Sequence, residues 1–243
     1  MSRCWDGHKG CIGTARLARS GLCCGYRSFL TLVRDPQHSP NPALKFFSSF
    51  RTLPARFKRY LGAVGLFGIG DFSHSLLILA ATTLLTPSMG MVKAAQVAGL
   101  LYVWRNVVQV VLSYPVGAMA DRVGHLRMLA GGYVLGAITA VLTALAFWFS
   151  VDSVPLLAAI FFVAGLYVTV EEALESTVTA EMVQADTLVM SYGALGTVNG
   201  TAKFISSAAV GVVWTAVSPT LGFGLAALLM TAGTLALLRV GNE

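Results

Sequence analysis

Six apolar segments follow one another from residue 61 to the end of the chain, each long enough to cross a lipid bilayer as a helix. We predict spans at 61–86, 95–120, 128–150, 155–179, 189–215 and 219–240. At about 1.5 Å per residue, roughly 20 helical residues cover the hydrocarbon core. A strand edge exposed to lipid would leave backbone groups without hydrogen bonds, so the spans must be helices. The sequence therefore predicts an all-α, polytopic membrane protein with six transmembrane helices.

The composition agrees with a membrane location. Only 12% of the 243 residues are charged and 56% are hydrophobic, whereas a soluble domain carries about 25% charged residues. The net charge of +6 would suggest nucleic-acid binding in a soluble protein. However, residues 1–60 hold eleven of the seventeen Lys and Arg with two acids, and residues 61–243 hold six basic and nine acidic residues. The basicity belongs to the leading segment, so no nucleic-acid partner is expected.

Residues 1–55 form a basic, cysteine-containing extension, which we predict to be disordered, ahead of a transmembrane domain over residues 56–243. Nothing in the extension repeats with the period of a helix or a strand. Its four cysteines include no C-x-x-C pair, and the adjacent Cys23 and Cys24 present two thiolates poorly to one ion. We therefore expect neither a metal site nor a cofactor.

The cations at the span ends predict the orientation of the chain. If residue 60 faces the cytoplasm, only Lys93 lies outside. The inner side then carries Arg51, Arg56, Lys58, Arg59, Arg122, Arg127 and Arg239. Because cytoplasmic loops carry an excess of Lys and Arg, this pattern predicts two cytoplasmic termini in a membrane such as the bacterial inner membrane.

A short inner loop between the second and third predicted spans carries a motif. It reads Gly117-Ala-Met-Ala-Asp-Arg-Val-Gly-His-Leu-Arg127. Four residues of the loop match a known sequence motif, namely Gly117, Asp121, Arg122 and Gly124. Arg127 retains one cation of the basic pair that is usual in that motif. The loop resembles motif A of the major facilitator superfamily of membrane transporters, where it is a cytoplasmic conformational latch.

This resemblance implies both a fold and a function. Residues 52–240 resemble the C-terminal half of a bacterial permease of that superfamily, in which each six-helix half is a 3+3 inverted repeat. It implies secondary active transport of a small solute by alternating access, with protons as a candidate coupling ion. Because only one half is present, the expected partner is a second six-helix half, as a homodimer or a missing N-terminal half. The alternative is a non-transporting membrane subunit or a truncated fragment.

Polar side chains recur at helical spacing inside three of the predicted spans. A charge within a membrane is costly and by default marks function or a buried partner. We expect a polar, partly water-filled cavity, for which the candidate residues are Asp71, His74, Tyr102, Arg105, Asn106, Gln109, Asn199 and Lys203. The alternative is a structural ion pair of Asp71 with Arg105 or Lys203. Two cations against one acid near the midplane favour an anionic or carboxylate-bearing solute.

A second group of charges consists of Glu171, Glu172 and Glu175. Residues 171 and 175 share a helix face, and like charges this close favour protonation of one of them. The predicted depth, near the cytoplasmic boundary, favours pairing with Arg122 or Arg127 in the latch. Proton coupling is the alternative. One turn from Asp71, His74 is a further candidate for a proton relay.

The motifs of catalysis are missing from the sequence. Neither G-x-S-x-G nor H-E-x-x-H occurs, and no P-loop is present. We therefore predict that the chain is not an enzyme and does not use ATP.

Overall fold

The computed structural model describes residues 53–241, which form seven α-helices and contain no strand. The helices are α1 Ala55–Gly68, α2 His74–Met89, α3 Met91–Val123, α4 His125–Trp148, α5 Val154–Met182, α6 Leu188–Ala216 and α7 Pro219–Gly241. The predicted extension, residues 1–55, lies outside the described residues except for its last three, and so do all four cysteines. Its disorder stays a prediction.

The predicted first span, residues 61–86, is divided into two helices by residues 69–73. The backbone N–H of Asp71 donates to the carbonyl oxygen of Phe67 at 3.0 Å, which closes the last turn of α1. The side chain of Ser73 then caps α2 by accepting from the N–H two residues further on, at 3.3 Å. The segment that follows Gly68 is therefore a break between two helices.

Glycine is required at position 70 because the break lies directly against α7. A Cβ at Gly70 would stand 2.6 Å from the carbonyl oxygen of Ala226 and 2.7 Å from the backbone N of Met230. Only a residue without a side chain lets the two backbones approach this closely. The close approach holds the break, and Asp71 within it, inside the helical bundle.

The other five predicted spans correspond to α3 to α7. Within residues 53–241, four helices are long and apolar enough to cross a membrane, namely α3, α4, α5 and α7. Helix α6 is 29 residues long but is not among these four. The prediction of an all-α, polytopic protein is confirmed.

The helices pack into one bundle around an apolar core. Helix α4 lies between α5 and α7, α5 also packs on α3, and α1 packs on α7 and α6. Phe67 of α1 stacks on Tyr133 of α4 with 3.7 Å between the ring centroids. At the other side of the break, Phe72 meets Phe223 of α7 edge to face at 4.8 Å. Aromatic contacts therefore anchor the chain on both sides of the broken segment.

The contact between α1 and α7 provides a test of this packing. A Cβ at Gly233 would stand 2.4 Å from the backbone N of Phe67, whereas a Cβ at Gly224 of the same helix meets nothing within 4 Å. We expect Gly233→Ala to destabilise the protein by about 1–3 kcal/mol, because α1 must move away. Gly224→Ala is the matched control and should leave the melting temperature in detergent unchanged. Equal melting temperatures for the two variants would contradict the packing.

Candidate functional site

Lys203 of α6 stands between two buried carboxylates. Its Nζ lies 2.8 Å from Oδ2 of Asp71 and 2.8 Å from Oε1 of Glu171. Asp71 comes from the break before α2 and Glu171 from the middle of α5, and each is only 3% exposed. One ammonium group therefore joins three separate segments of the chain. The pair of Asp71 with Lys203 is the structural ion pair that the sequence offered as an alternative, and Glu171 adds a third member.

The charges of this triad do not balance. Tyr167 of α5 donates a hydrogen bond to Oδ1 of Asp71. Among the described residues, Oε2 of Glu171 is buried without a hydrogen-bond partner. Two ionised carboxylates on one ammonium leave one excess negative charge in a site where charge is costly. A proton held on one of the carboxyl groups removes that excess, so the arrangement suits proton binding.

Glu175, one turn after Glu171 on α5, is held by uncharged donors. Its Oε1 accepts from the hydroxyl of Tyr133 at 2.6 Å, and its Oε2 accepts from the side-chain amide of Asn199. The hydroxyl of Tyr60 donates to the backbone carbonyl of Glu175 at 3.0 Å. The side chain is 5% exposed and contacts α4 and α6. Glu175 therefore ties α5 to the rest of the bundle.

The glutamates do not have the partners expected from the sequence. Glu171 and Glu175 bind Lys203, Tyr133 and Asn199, and not Arg122 or Arg127. The depth estimate placed them near the cytoplasmic boundary, but α5 continues to Met182. Glu171 consequently lies near the middle of its helix. The third glutamate, Glu172, faces outward and accepts a hydrogen bond from the side chain of Gln109 on α3.

Arg105 of α3 lies in a second polar cluster. Its Nη2 lies 3.0 Å from Nε2 of His74, and its Nη1 donates to Oδ1 of Asn106 at 3.0 Å. A guanidinium can only donate, so His74 accepts at Nε2 and is the neutral imidazole. The guanidinium carbon lies 5.7 Å from the centre of the Tyr102 ring. Among the described residues, Nε of Arg105 is buried without a hydrogen-bond partner.

An enclosed cavity of about 10 Å³ separates the two clusters. Its polar lining comes from Asp71, His74, Arg105, Thr139 and Tyr167, and its remaining walls are apolar. This volume accommodates about one water molecule. The structure thus brings three of the residues selected from the sequence, at positions 71, 74 and 105, to one closed space. Lys203 and Asn199 stand on the far side of Asp71, with the glutamates.

The motif-A loop has its own set of contacts. Gly124 has φ +99°, a conformation that favours glycine, and it both ends α3 and begins α4. Nε2 of His125 lies 3.1 Å from Asp121, and its Nδ1 lies 2.6 Å from Glu181 at the end of α5. A Cβ at Gly117 would meet nothing within 4 Å, so no close helix contact requires glycine at this position. Here His125, and not Arg122 or Arg127, joins the ends of three helices.

Sequence reasoning missed the tyrosines that bind the buried acids. Tyr167 precedes Glu171 by four residues, and Glu175 follows by four more. Positions i, i+4 and i+8 share one helix face, so the sequence of the fourth predicted span already indicates a polar stripe at these three positions. Tyr133 stands alone in an apolar stretch and Tyr60 directly follows the basic residues Lys58 and Arg59, so neither gave such a signal. Within residues 53–241, no group of three or more His, Cys, Asp or Glu side chains is arranged to hold a metal ion.

Comparison with known proteins adds one relative. No protein-family model matches the chain. Over 202 residues the chain is 27% identical to an uncharacterized MFS-type transporter of Methanocaldococcus jannaschii, which covers 80% of this chain and 48% of that protein. The chain therefore spans about half the length of this curated relative. This similarity and the apolar helices support an integral, multi-pass membrane protein that resembles a transporter.

Lys203 provides a test of the triad. We expect Lys203→Met to destabilise the protein by up to about 3 kcal/mol, because two buried carboxylates lose their shared cation. Adding Asp71→Asn to this variant should recover part of the loss, since one negative charge is removed. Lys93→Met, on the exposed first turn of α3, is the matched control. The measurement is thermal unfolding in detergent, and a double variant no more stable than Lys203→Met would contradict the pairing.

Proposed function

We propose that the chain is a six-helix half of a secondary active transporter of MFS type, which moves a small solute by alternating access. The observation that carries this proposal is the distribution of polar groups over the surface of the bundle. Polar and charged side chains reach one face at mid-helix depth, whereas the side formed by α4 and α7 is apolar. A protein surrounded by lipid on all sides would not expose both kinds of surface at that depth.

The polar face is defined by six residues that are exposed or half-buried: Ser73, Asn106, Gln109, Glu172, Lys203 and Ser207. Contacts connect them, since the backbone N–H of Ser73 donates to Oγ of Ser207 at 3.0 Å and Gln109 donates to Glu172. The side chain of Lys203 is 38% exposed although both of its carboxylate partners are buried. Charged groups near the middle of a membrane need water or polar protein beside them. We therefore propose that the solute path runs along the polar face.

The apolar face supports the same arrangement. In the middle of α4 and α7 the large exposed side chains are aliphatic: Val134, Ile138, Val141, Leu228 and Leu235. The exposed Thr231 donates its hydroxyl to the carbonyl oxygen of Ala227 in its own helix at 2.7 Å. An open groove of about 360 Å³ lies between these two helices and is lined almost entirely by such side chains. Lipid chains fit a surface of this kind. We propose that α4 and α7 face the bilayer and that α2, α3, α5 and α6 face the solute path.

A second six-helix half would cover the polar face. Gly193, Gly196 and Gly200 of α6 have open space where a Cβ would stand, and small residues let another helix approach closely. The aligned residues cover only 48% of the relative. We propose that the second half is another copy of the chain or a missing N-terminal half. Helices α1 and α2 together then form the first of six spans in a 3+3 repeat, with both termini in the cytoplasm of a bacterial cell.

Protons are the proposed coupling ion. Lys203 is shared by Asp71 and Glu171, so protonation of Glu171 removes one of the two ion pairs of Lys203. A proton therefore changes the strength of a contact that joins α5, α6 and the break before α2, which lie beside the proposed solute path. Glu172 and Glu175 are further proposed proton sites, and neutral His74 contacts Arg105 and lines the small cavity together with Asp71. Motif A, at the cytoplasmic end, is the proposed latch.

A non-transporting subunit is the second candidate. It is favoured by one observation, that the chain spans about half the length of its relative. In that case the triad would stabilise the fold without carrying protons, and the polar face would bind a permanent partner.

Flux through the reconstituted chain distinguishes the candidates. The full chain is placed in proteoliposomes with an imposed pH gradient, and uptake of radiolabelled sugars, amino acids and monocarboxylates is measured. We expect uptake that requires the gradient and that falls at least about tenfold in Asp71→Asn, equivalent to about 1.4 kcal/mol. Asp152→Asn, in the exposed loop before α5, is the matched control and should not change uptake.

The outcomes have separate meanings. Uptake that appears only after a second six-helix half is added supports a half-transporter that needs this partner. No uptake with or without a second copy or half supports the non-transporting subunit. Equal uptake by Asp71→Asn and Asp152→Asn would contradict the role given to the triad.

A further inference from the structure

Arg105 differs from Lys203 in having no acid beside it. It is 2% exposed, lies near the middle of α3, and forms no ion pair with any Asp or Glu of residues 53–241. The partners of its two Nη atoms, His74 and Asn106, are uncharged. A buried charge is normally paired because leaving it alone is costly. Arg105 is therefore a buried cation that lacks a counter-ion.

The buried acids already form hydrogen bonds or ion pairs with groups other than Arg105. Asp71 binds Tyr167 and Lys203, and Glu171 also binds Lys203. Glu175 accepts from Tyr133 and Asn199. Oε2 of Glu171 still lacks a hydrogen-bond partner, but no acid of residues 53–241 lies within ion-pair distance of Arg105. Protonation of one triad carboxyl group would remove the excess negative charge near the cavity and leave the charge of Arg105 for a bound anion.

Arg105 faces a small space inside the bundle. It lines the cavity of about 10 Å³, and its buried Nε has no hydrogen-bond partner among the described residues. This volume has room for about one oxygen-sized group. The apolar walls of the cavity include Phe72, Leu77 and Met230. An unused charged donor there suits an anionic oxygen, and the apolar part of a ligand would bind along these walls once the cavity widens.

We propose that Arg105 binds the carboxylate of a monoanionic organic solute, an inference that rests on the proposed transport function. A carboxylate accepts from a guanidinium in a charge-assisted hydrogen bond. A dianion would need a second free cation, but Lys203 is already shared by two carboxylates. A cationic solute would be repelled by Arg105. Of the two cations that the sequence places near the midplane, only Arg105 lacks an acid partner among the described residues.

The same charges predict how pH affects binding. With every group ionised, the buried core holds three acids and two cations. The groups that face one another there are Tyr60, Asp71, His74, Arg105, Tyr133, Tyr167, Glu171, Glu175 and Lys203. A bound monoanion adds negative charge, so its binding favours protonation of one carboxyl group. By linkage, the affinity for the solute then rises as pH falls, by up to about tenfold per pH unit.

The test measures binding without transport. Thermal unfolding of the purified full chain is followed in detergent with acetate, lactate or benzoate, and with the matched neutral amides acetamide, lactamide and benzamide. We expect at least one carboxylate to raise the melting temperature in a saturable way, with no effect of its amide. In Arg105→Gln the apparent Kd should rise about 10- to 100-fold, because a charge-assisted hydrogen bond is lost. Arg239→Gln, at the exposed end of α7, is the matched control and should bind as the wild type does.

Several results would overturn the proposal. Equal stabilisation of the wild type by carboxylates and by their amides would overturn it. This result needs no variant, so the proposal stays testable if Arg105→Gln does not fold. Unchanged affinity in Arg105→Gln, or an affinity that falls with decreasing pH, would also overturn it. Carboxylate binding by a chain that shows no flux in proteoliposomes supports the anion site and counts against autonomous transport. Flux of sugars or amines without carboxylate binding supports transport and rejects the anion site.

Discussion

One ammonium group, that of Lys203, holds together the polar interior of this protein. It contacts Asp71 in the break between α1 and α2 and Glu171 in the middle of α5, at 2.8 Å in each case. Taking three charges out of water is costly, and the cost is met only where the geometry is good and further hydrogen bonds are made. Tyr167 supplies one such bond to Asp71. The positions of α2, α5 and α6 relative to one another depend on this contact, and so does the excess negative charge that makes the site suitable for a proton.

The break in the first span makes this contact possible. A continuous helix over residues 61–86 would satisfy every backbone group internally, but it would place Asp71 on a regular helix surface. Because Gly70 allows the backbone to lie against α7, the chain can unwind there inside the bundle. Phe67 and Phe72 anchor the segment on both sides. Irregular backbone at membrane depth is tolerated where it is buried in protein or lines a cavity, and here it carries a charged side chain to Lys203.

The two cations have different environments, although both lie near the middle of their helices. Lys203 is shared by two acids and remains partly exposed at the polar face, whereas Arg105 is enclosed and has only neutral partners. This difference separates a proposed proton site from a proposed anion site within one polar interior. The small cavity lined by Asp71 and Arg105 lies between them. A solute carboxylate and a proton would therefore influence each other through charge over a short distance.

The sequence by itself determined that the chain is a helical, multi-pass membrane protein, because apolar runs near 20 residues and low charge leave few other stable structures. The rise along a helix also placed Arg105 and Lys203 near the middle of their spans, but the same estimate put Glu171 too close to the cytoplasmic boundary, because α5 continues to Met182. Which side chains meet was decided only in the tertiary structure. The contacts of Lys203 with Glu171, of Glu175 with Tyr133, and of His125 with Glu181 depend on how each helix is rotated and shifted against its neighbours. Those rotations are set by the packing of whole helix surfaces, and a pattern within a single helix does not contain them.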